Sequence, residues 1–195
     1  MSWTKESFQE AARTRGVWRL YAERGTLRPA PEPIEALPGN VQRRVAGLVA
    51  RHRGAKDGEC YLTVFRAVEK QPKGLQWVEW VEGLTAGPGT RVPVPHAWLE
   101  VEGHTVDLGS ILSRPVYPIP GWMYFGVAYA PEEIVRTMRA RGYVEPMCVV
   151  HAPAPPRGAR TCTVCDGERT LTFGPVTTEC GECSGEGWVL PQAKE

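Results

Sequence analysis

The chain lacks any apolar run approaching the roughly 18 residues that a membrane-spanning helix needs. It lacks appreciable net charge: 23 Lys and Arg stand against 22 Asp and Glu, for a balance of +1, which selects no polyanionic partner. The opening stretch MSWTKESFQEAARTRG has no apolar segment of the secretory type, so a cytoplasmic location is expected. No internal repeat runs through the main body. A disulfide framework is not the expected use of the six cysteines either. Four of them form two Cys-x-x-Cys pairs, Cys162/Cys165 and Cys180/Cys183, leaving Cys60 and Cys148 single. That pattern reads as one metal site and two thiols in a reducing compartment.

What is present suffices for one domain with a small appendage: 195 residues, with seven Trp to furnish a core. Residues 1–55 carry ten Lys/Arg against five Asp/Glu, which reads as a solvated helix face. Residues 1–38 form an N-terminal helical extension in this reading, with Thr4 capping a helix that ends near Gly16. Asn40 is placed as the cap of a second helix, whose Val41, Val45, Leu48, Val49 and His52 share one stripe. A third helix begins near Cys60, with Asp57 as its cap and Tyr61, Val64, Phe65 and Val68 along its apolar side. LQWVEWVEGLTA, VPHAWLEV, HTVDLG and MYFGVAYA read as strands. PEEIVRTMRARG reads as a helix with Pro131 at its first position, Glu132 and Glu133 at the positive end and Gly142 just beyond the last turn. The main domain spans 39–150, a Pro-rich linker 151–159 and a cysteine-rich module 160–190.

The stretch VPHAWLEVEGHTVDLG can be tested by counting. A two-residue turn at Glu102-Gly103 sets Val101 opposite His104. Alternation then puts His96, Trp98, Glu100, Thr105 and Asp107 on one face, and Ala97, Leu99, Val101, Val106 and Leu108 on the other. In that register His96 and Asp107 are diagonal neighbours within side-chain reach. A carboxylate there orients an imidazole and stabilises its protonated form, leaving a nucleophile to be found. Cys60 lies in the first turn of its helix, where backbone N–H groups and the helix dipole favour a thiolate. Asp57 and Glu59 oppose this, so His96 must supply most of the activation. The plain alternatives are a hairpin with a polar outer face and a small buried thiol.

GECYLTVFRAV, WVEGLTAG, PHAWLEVEGHTVDL and MYFGVAYAPEEI, in that order over about residues 40–142, resemble small bacterial and phage proteins of the transglutaminase-like, papain-like cysteine superfamily. The resemblance implies an α+β fold, helices packed on a small antiparallel sheet. It implies Cys60 as nucleophile, His96 as base and Asp107 as orienter in acyl transfer or amide hydrolysis, of peptidase, deamidase or transglutaminase type. The backbone N–H of Cys60 is one candidate oxyanion donor, and RGAKDGE upstream offers no Gln or Asn as a second. Trp77, Trp80 and Trp98 are candidates to wall a substrate cleft, with core or sheet packing as the plain alternative for most of them. Residues 87–95 are either a substrate-contacting loop or an irregular hairpin connection. Cys148 and His52 are read as structural; His104 and His151 carry no role.

The tail CTVCDGERTLTFGPVTTECGECSGEGW supplies four thiolates, Cys162, Cys165, Cys180 and Cys183, with 14 residues between the pairs. This is the pattern of a tetrahedral structural Zn2+ site in a zinc ribbon, whose metal supplies the folding energy that so small a module lacks. Cys-x-x-Cys-x-Gly-x-Gly at Cys180 to Gly187 resembles one zinc module of the cysteine-rich region of J-domain co-chaperones, though no J-domain signature accompanies it. Residues 160–186 hold two Arg against five acidic residues, which argues against a nucleic-acid surface and for contact with protein or bracing of the main domain. The functional readings at this point are a thiol acyltransferase or hydrolase acting on a protein or a small amide or ester, an inactive binding module of the same fold, and, more weakly, a nucleic-acid binder using the N-terminal helices.

Overall fold

The computed structural model describes residues 3–13, 18–50, 59–69, 75–113, 117–144, 146–147, 159–164, 170–173, 176–183 and 188–189. Among them the fold is mixed α/β, built on a five-stranded antiparallel sheet with helices packed against it. No helix among the described residues is long and apolar enough to cross a membrane.

The chain begins with α1 (Lys5–Arg13) and α2 (Arg19–Arg24). Thr4 caps α1 as expected: its Oγ1 accepts the Ser7 N–H at 3.3 Å, and Ser7 Oγ accepts the Thr4 N–H at 2.7 Å. That reciprocal pair satisfies two of the amides that a helix start leaves open. Next come β1 (Thr26–Arg28) and α3 (Gly39–Ala50). Asn40 is not the cap of α3. It sits inside the first turn, and its side-chain amide donates to Glu102 at the far hairpin turn.

The sheet is β1, then β2 (Val78–Ala86), β3 (Val94–Val101), β4 (His104–Val106) and β5 (Met123–Tyr129), in the order β1-β5-β2-β3-β4. Residues 1–38, expected as a helical extension, thus contribute an edge strand paired to β5 as well as helices. Their apolar side chains Phe8, Ala12, Trp18 and Tyr21 join the main core, where the Phe8 ring stacks on Phe125 at 5.4 Å.

Directly paired residues share a face, so the register sorts the side chains. Trp80 pairs with Leu99 and Tyr129, and Leu84 with Phe125; with Glu82 these line the face belonging to the main core. Val81 pairs with Trp98 and Ala128, and Gly83 with His96; these line the opposite face, where Val81, Trp98 and Tyr124 form a smaller apolar cluster. α4 (Cys60–Val68) and α6 (Pro131–Arg141) bury Val64, Phe65, Val68, Ile134, Val135 and Met138 in the main core. α6 follows its sequence signals, with Pro131 at its start and Gly142 at φ 82°, the left-handed conformation that glycine adopts without steric cost.

The cysteine-rich tail pairs β6 (Arg160–Thr161) with β9 (Trp188–Val189) and β7 (Thr170–Phe173) with β8 (Val176–Glu179). Antiparallel β7 and β8 thus lie between the two cysteine pairs. Residues 151–158 of the expected linker, together with Cys148, His52 and His151, lie outside the described residues.

Candidate active site and cysteine cluster

The hairpin places His96. β3 and β4 turn at Glu102 (φ 52°) and Gly103 (φ 83°), and Val101 pairs with His104 as the count from sequence requires. Two successive positive φ values match a two-residue turn whose twist suits the flanking strands. His96 lies near the start of β3, half-buried, on the face opposite the main core.

Asp107 differs in setting from the expectation. β4 stops at Val106, and Asp107 is not a strand residue but the cap of a short helix, α5 (Leu108–Ser113). Its Oδ1 accepts the Ser110 N–H at 3.1 Å, the bond that favours Asp before a helix. Its Oδ2 lies 2.9 Å from His96 Nε2, and accepts the hydroxyls of Ser110 at 2.8 Å and Tyr124 at 2.9 Å. The carboxylate is 1% exposed, so these donors replace the water it has lost. Tyr117 is adjacent, its hydroxyl 3.4 Å from the Asp107 backbone N–H and 3.5 Å from the Thr105 carbonyl.

Cys60 is the first residue of α4, half-buried and not in a disulfide. The cap is Glu59, with no side-chain capping bond; the expected cap, Asp57, lies outside the described residues, as does most of the stretch RGAKDGE. A β-carbon built at Gly109 falls 3.8 Å from His96 Cε1, 3.9 Å from Cys60 Cβ and 3.3 Å from Asp107 Oδ1. The three side chains named from sequence therefore surround one point, which a glycine leaves open.

The electrostatics follow from this packing. Burial favours the neutral imidazole, but the Asp107 charge and hydrogen bond outweigh it, helped by a hydrogen bond and charge from Cys60. Together they push His96 up from 6.5 to about 10. Burial likewise favours the neutral form of Asp107, and the His96 charge and bond, with the two Ser110 bonds, hold it down at about 2 against the usual 3.8. Burial pushes the Tyr117 phenol up to about 12, opposed by the Asp107 backbone N–H and reinforced by the Asp107 charge. With Nε2 given to Asp107, Nδ1 is the ring nitrogen left for the thiol.

One expectation is corrected. Trp80 and Trp98 do not wall an open cleft, since both are 0% exposed. Trp80 is on the main-core face, away from His96, and its indole N–H donates to the buried Glu82 at 2.8 Å. Trp98 supports the histidine from inside: its ring lies 6.1 Å from the imidazole at 22°, and Tyr124 meets it edge-on at 5.1 Å. Trp77 stands at the opposite end of β3, beneath the Arg44 guanidinium at 4.5 Å. The loop at 87–95 is braced, with the Trp3 indole donating to the Thr90 carbonyl at 3.2 Å.

Ser110, Tyr124 and Gly109 were missed from the sequence. Ser110 carried a signal only through Asp107, a residue type that favours a helix start. Tyr124 carried none, since its approach to Asp107 depends on tertiary packing.

A second cluster lies in the tail. Cys162, Cys180 and Cys183 are buried, and their sulfurs all fall within 4.8 Å of one another. Three close thiols in that arrangement can hold a metal ion. Cys165 lies outside the described residues. Comparison with protein-family models, curated proteins and solved structures finds no match for this chain.

Proposed function

We propose that the protein is a thiol enzyme of transglutaminase-like, papain-like type, catalysing acyl transfer or amide hydrolysis on a protein or small amide or ester. The observation that carries this reading is the convergence of Cys60, His96 and Asp107 on the space above Gly109. A nucleophile, a base and a group that orients the base are the minimum for covalent acyl chemistry.

In this mechanism the thiol proton already rests on His96 Nδ1, as the raised pKa of the imidazole requires, and the Cys60 sulfur attacks the substrate carbonyl carbon as the thiolate of that ion pair. The carbonyl π electrons move to oxygen, and the Cys60 backbone N–H is placed to donate to the oxyanion. Collapse breaks the carbon–nitrogen or carbon–oxygen bond as the imidazolium protonates the leaving amine or alcohol. The thioester that remains is attacked by water or an amine, whose proton goes to the now neutral His96, releasing an acid or a new amide and restoring the Cys60–His96 ion pair. Asp107 stays ionised throughout and holds the imidazole by Nε2.

The cysteine cluster fits a structural zinc ion. A tetrahedral site with Zn–S bonds of about 2.3 Å has sulfur–sulfur edges of roughly 3.8 Å. Cys162 and Cys180 are 3.8 Å apart. Cys162, Cys180 and Cys183 supply three ligands in this reading, and Cys165 is the expected fourth. The metal braces a module offered to a protein partner, and its acidic balance makes nucleic acid the wrong ligand.

The test is an acyl-enzyme trap. Zinc-loaded protein is treated with a panel of aldehyde and activated-ester mimics and read by intact mass and peptide mapping. A single adduct at Cys60, absent in His96→Ala, supports the reading. No adduct at Cys60 across the panel points to a binding module instead.

A further inference from the structure

The geometry points to Tyr124 as a positioning residue that tunes the His96–Asp107 couple, a role that rests on the acyl-transfer reading of the site. Three donors share one oxygen: His96 Nε2–H at 2.9 Å, the Ser110 hydroxyl at 2.8 Å and the Tyr124 hydroxyl at 2.9 Å all meet Asp107 Oδ2. A carboxylate oxygen offers about two lone pairs, so the donors compete. Tyr124 comes from β5, two strands away from the β3 that carries His96. Its ring is 2% exposed and locked edge-on against Trp98, so the hydroxyl is delivered from a rigid mount.

Two effects follow from a hydroxyl placed there. Its hydrogen stabilises the anion, which keeps Asp107 ionised at 1% exposure. The same positive dipole end draws charge from the oxygen that faces His96 and weakens the hold on the imidazole proton. That balance matters for acyl transfer. An imidazolium gripped too tightly is a poor acid toward the leaving amine, while one left without a partner is a poor base toward the thiol.

The groups facing the imidazole come from several elements. Cys60 arrives from the start of α4, Asp107 from the cap of α5, and Tyr124 from β5 with its ring 6.3 Å away. Tyr117 reaches Asp107 from the segment after α5. Farther along β3, Glu100 is paired with Arg28 at 3.4 Å.

The experiment uses full-length, zinc-loaded protein labelled at histidine with 13C and 15N. The His96 signal is assigned by its loss in His96→Gln and titrated by NMR. In Tyr124→Phe the ring packing is kept and Ser110 still holds the carboxylate. The imidazolium should then persist to higher pH, its midpoint rising by about half a unit. Ser110→Ala, which spares the backbone bond to Oδ1, should move it the same way. If Tyr124→Phe does not fold, 3-fluorotyrosine at position 124, a stronger donor of nearly the same shape, should lower the midpoint, and an unchanged midpoint there overturns the role. Asp107→Asn should move it downward. A His96 midpoint unchanged or lowered in folded Tyr124→Phe overturns the tuning role. Cys60 alkylation in His96→Ala is run in parallel: indifference there removes the acyl-transfer reading, whereas the titration separately decides what Tyr124 does.

Discussion

His96 Nε2 and Asp107 Oδ2 lie 2.9 Å apart, joined across the mouth of a hairpin whose tip is Glu102-Gly103. The turn sets the register, the register sets the face, and helix α5 fixes the carboxylate. Replacing Asp107 therefore removes two things, the partner of the imidazole and the cap of α5. Asp107→Ala should lower stability by about 1–3 kcal/mol, from the lost cap and the stranded donors. Asp107→Ser, which keeps a capping oxygen, should recover part of the stability and none of the activity. Urea unfolding of the three proteins checks this.

The pair should also leave a mark on the pH dependence of stability. His96 is raised from 6.5 to about 10, so its contribution is full below 6.5 and is lost as pH rises through 10. Asp107 is depressed from 3.8 to about 2, so its contribution is full above 3.8 and is lost as pH falls through 2. The stability difference between wild type and His96→Gln should be largest between these limits, at about pH 4–6.5, and should shrink on both sides. A difference that grows above pH 8 would contradict the assignment.

Gly109 offers a steric test. Ala at this position meets ordinary contacts at 3.8 and 3.9 Å and a closer one, 3.3 Å, to Asp107 Oδ1. Gly109→Ala should fold with slowed Cys60 alkylation. Gly109→Val should fill the space over the thiol and block a bulky alkylating agent while a small one still enters. Peptide mapping after treatment with two reagents of different size distinguishes the cases.

Much of this site was legible in the sequence because strand parity is discrete. Once Glu102-Gly103 is read as a two-residue turn, Thr105 pairs with Glu100 and the chain that follows returns Asp107 to the side of His96. α1 and α6 carried their own end signals in Thr4, Pro131 and Gly142. What could not be read depends on distant partners. β1 is three residues long, with nothing local to announce a strand, and exists because Thr26 to Arg28 pair with Tyr124 to Gly126. The stretch VEWVEGLTA breaks apolar–polar alternation at Trp80-Val81, which hides the face of Trp80 and lets Trp80 and Trp98 read as walls of one cleft although β2 and β3 turn them to opposite faces. Asp107 was read as strand because alternation continued through it, whereas its side chain ends the strand by capping α5.

The tail should bind one equivalent of zinc per chain, with the metal protecting four thiols from a thiol-specific reagent. Adding a strong chelator should release the zinc and expose Cys162, Cys165, Cys180 and Cys183 together. Replacing Cys180 with Ser should lower zinc affinity by orders of magnitude. Protection of only one Cys-x-x-Cys pair, independent of metal, would point to a redox dithiol.

The most direct measurement is the rate at which Cys60 is carboxamidomethylated at pH 6 in native zinc-loaded protein, compared with His96→Ala. A Cys–His pair should make Cys60 react at this pH, with at least a roughly tenfold loss in the variant. Equal, slow rates in the two proteins would mean that the thiol and the imidazole are neighbours without being partners, and would contradict the catalytic reading.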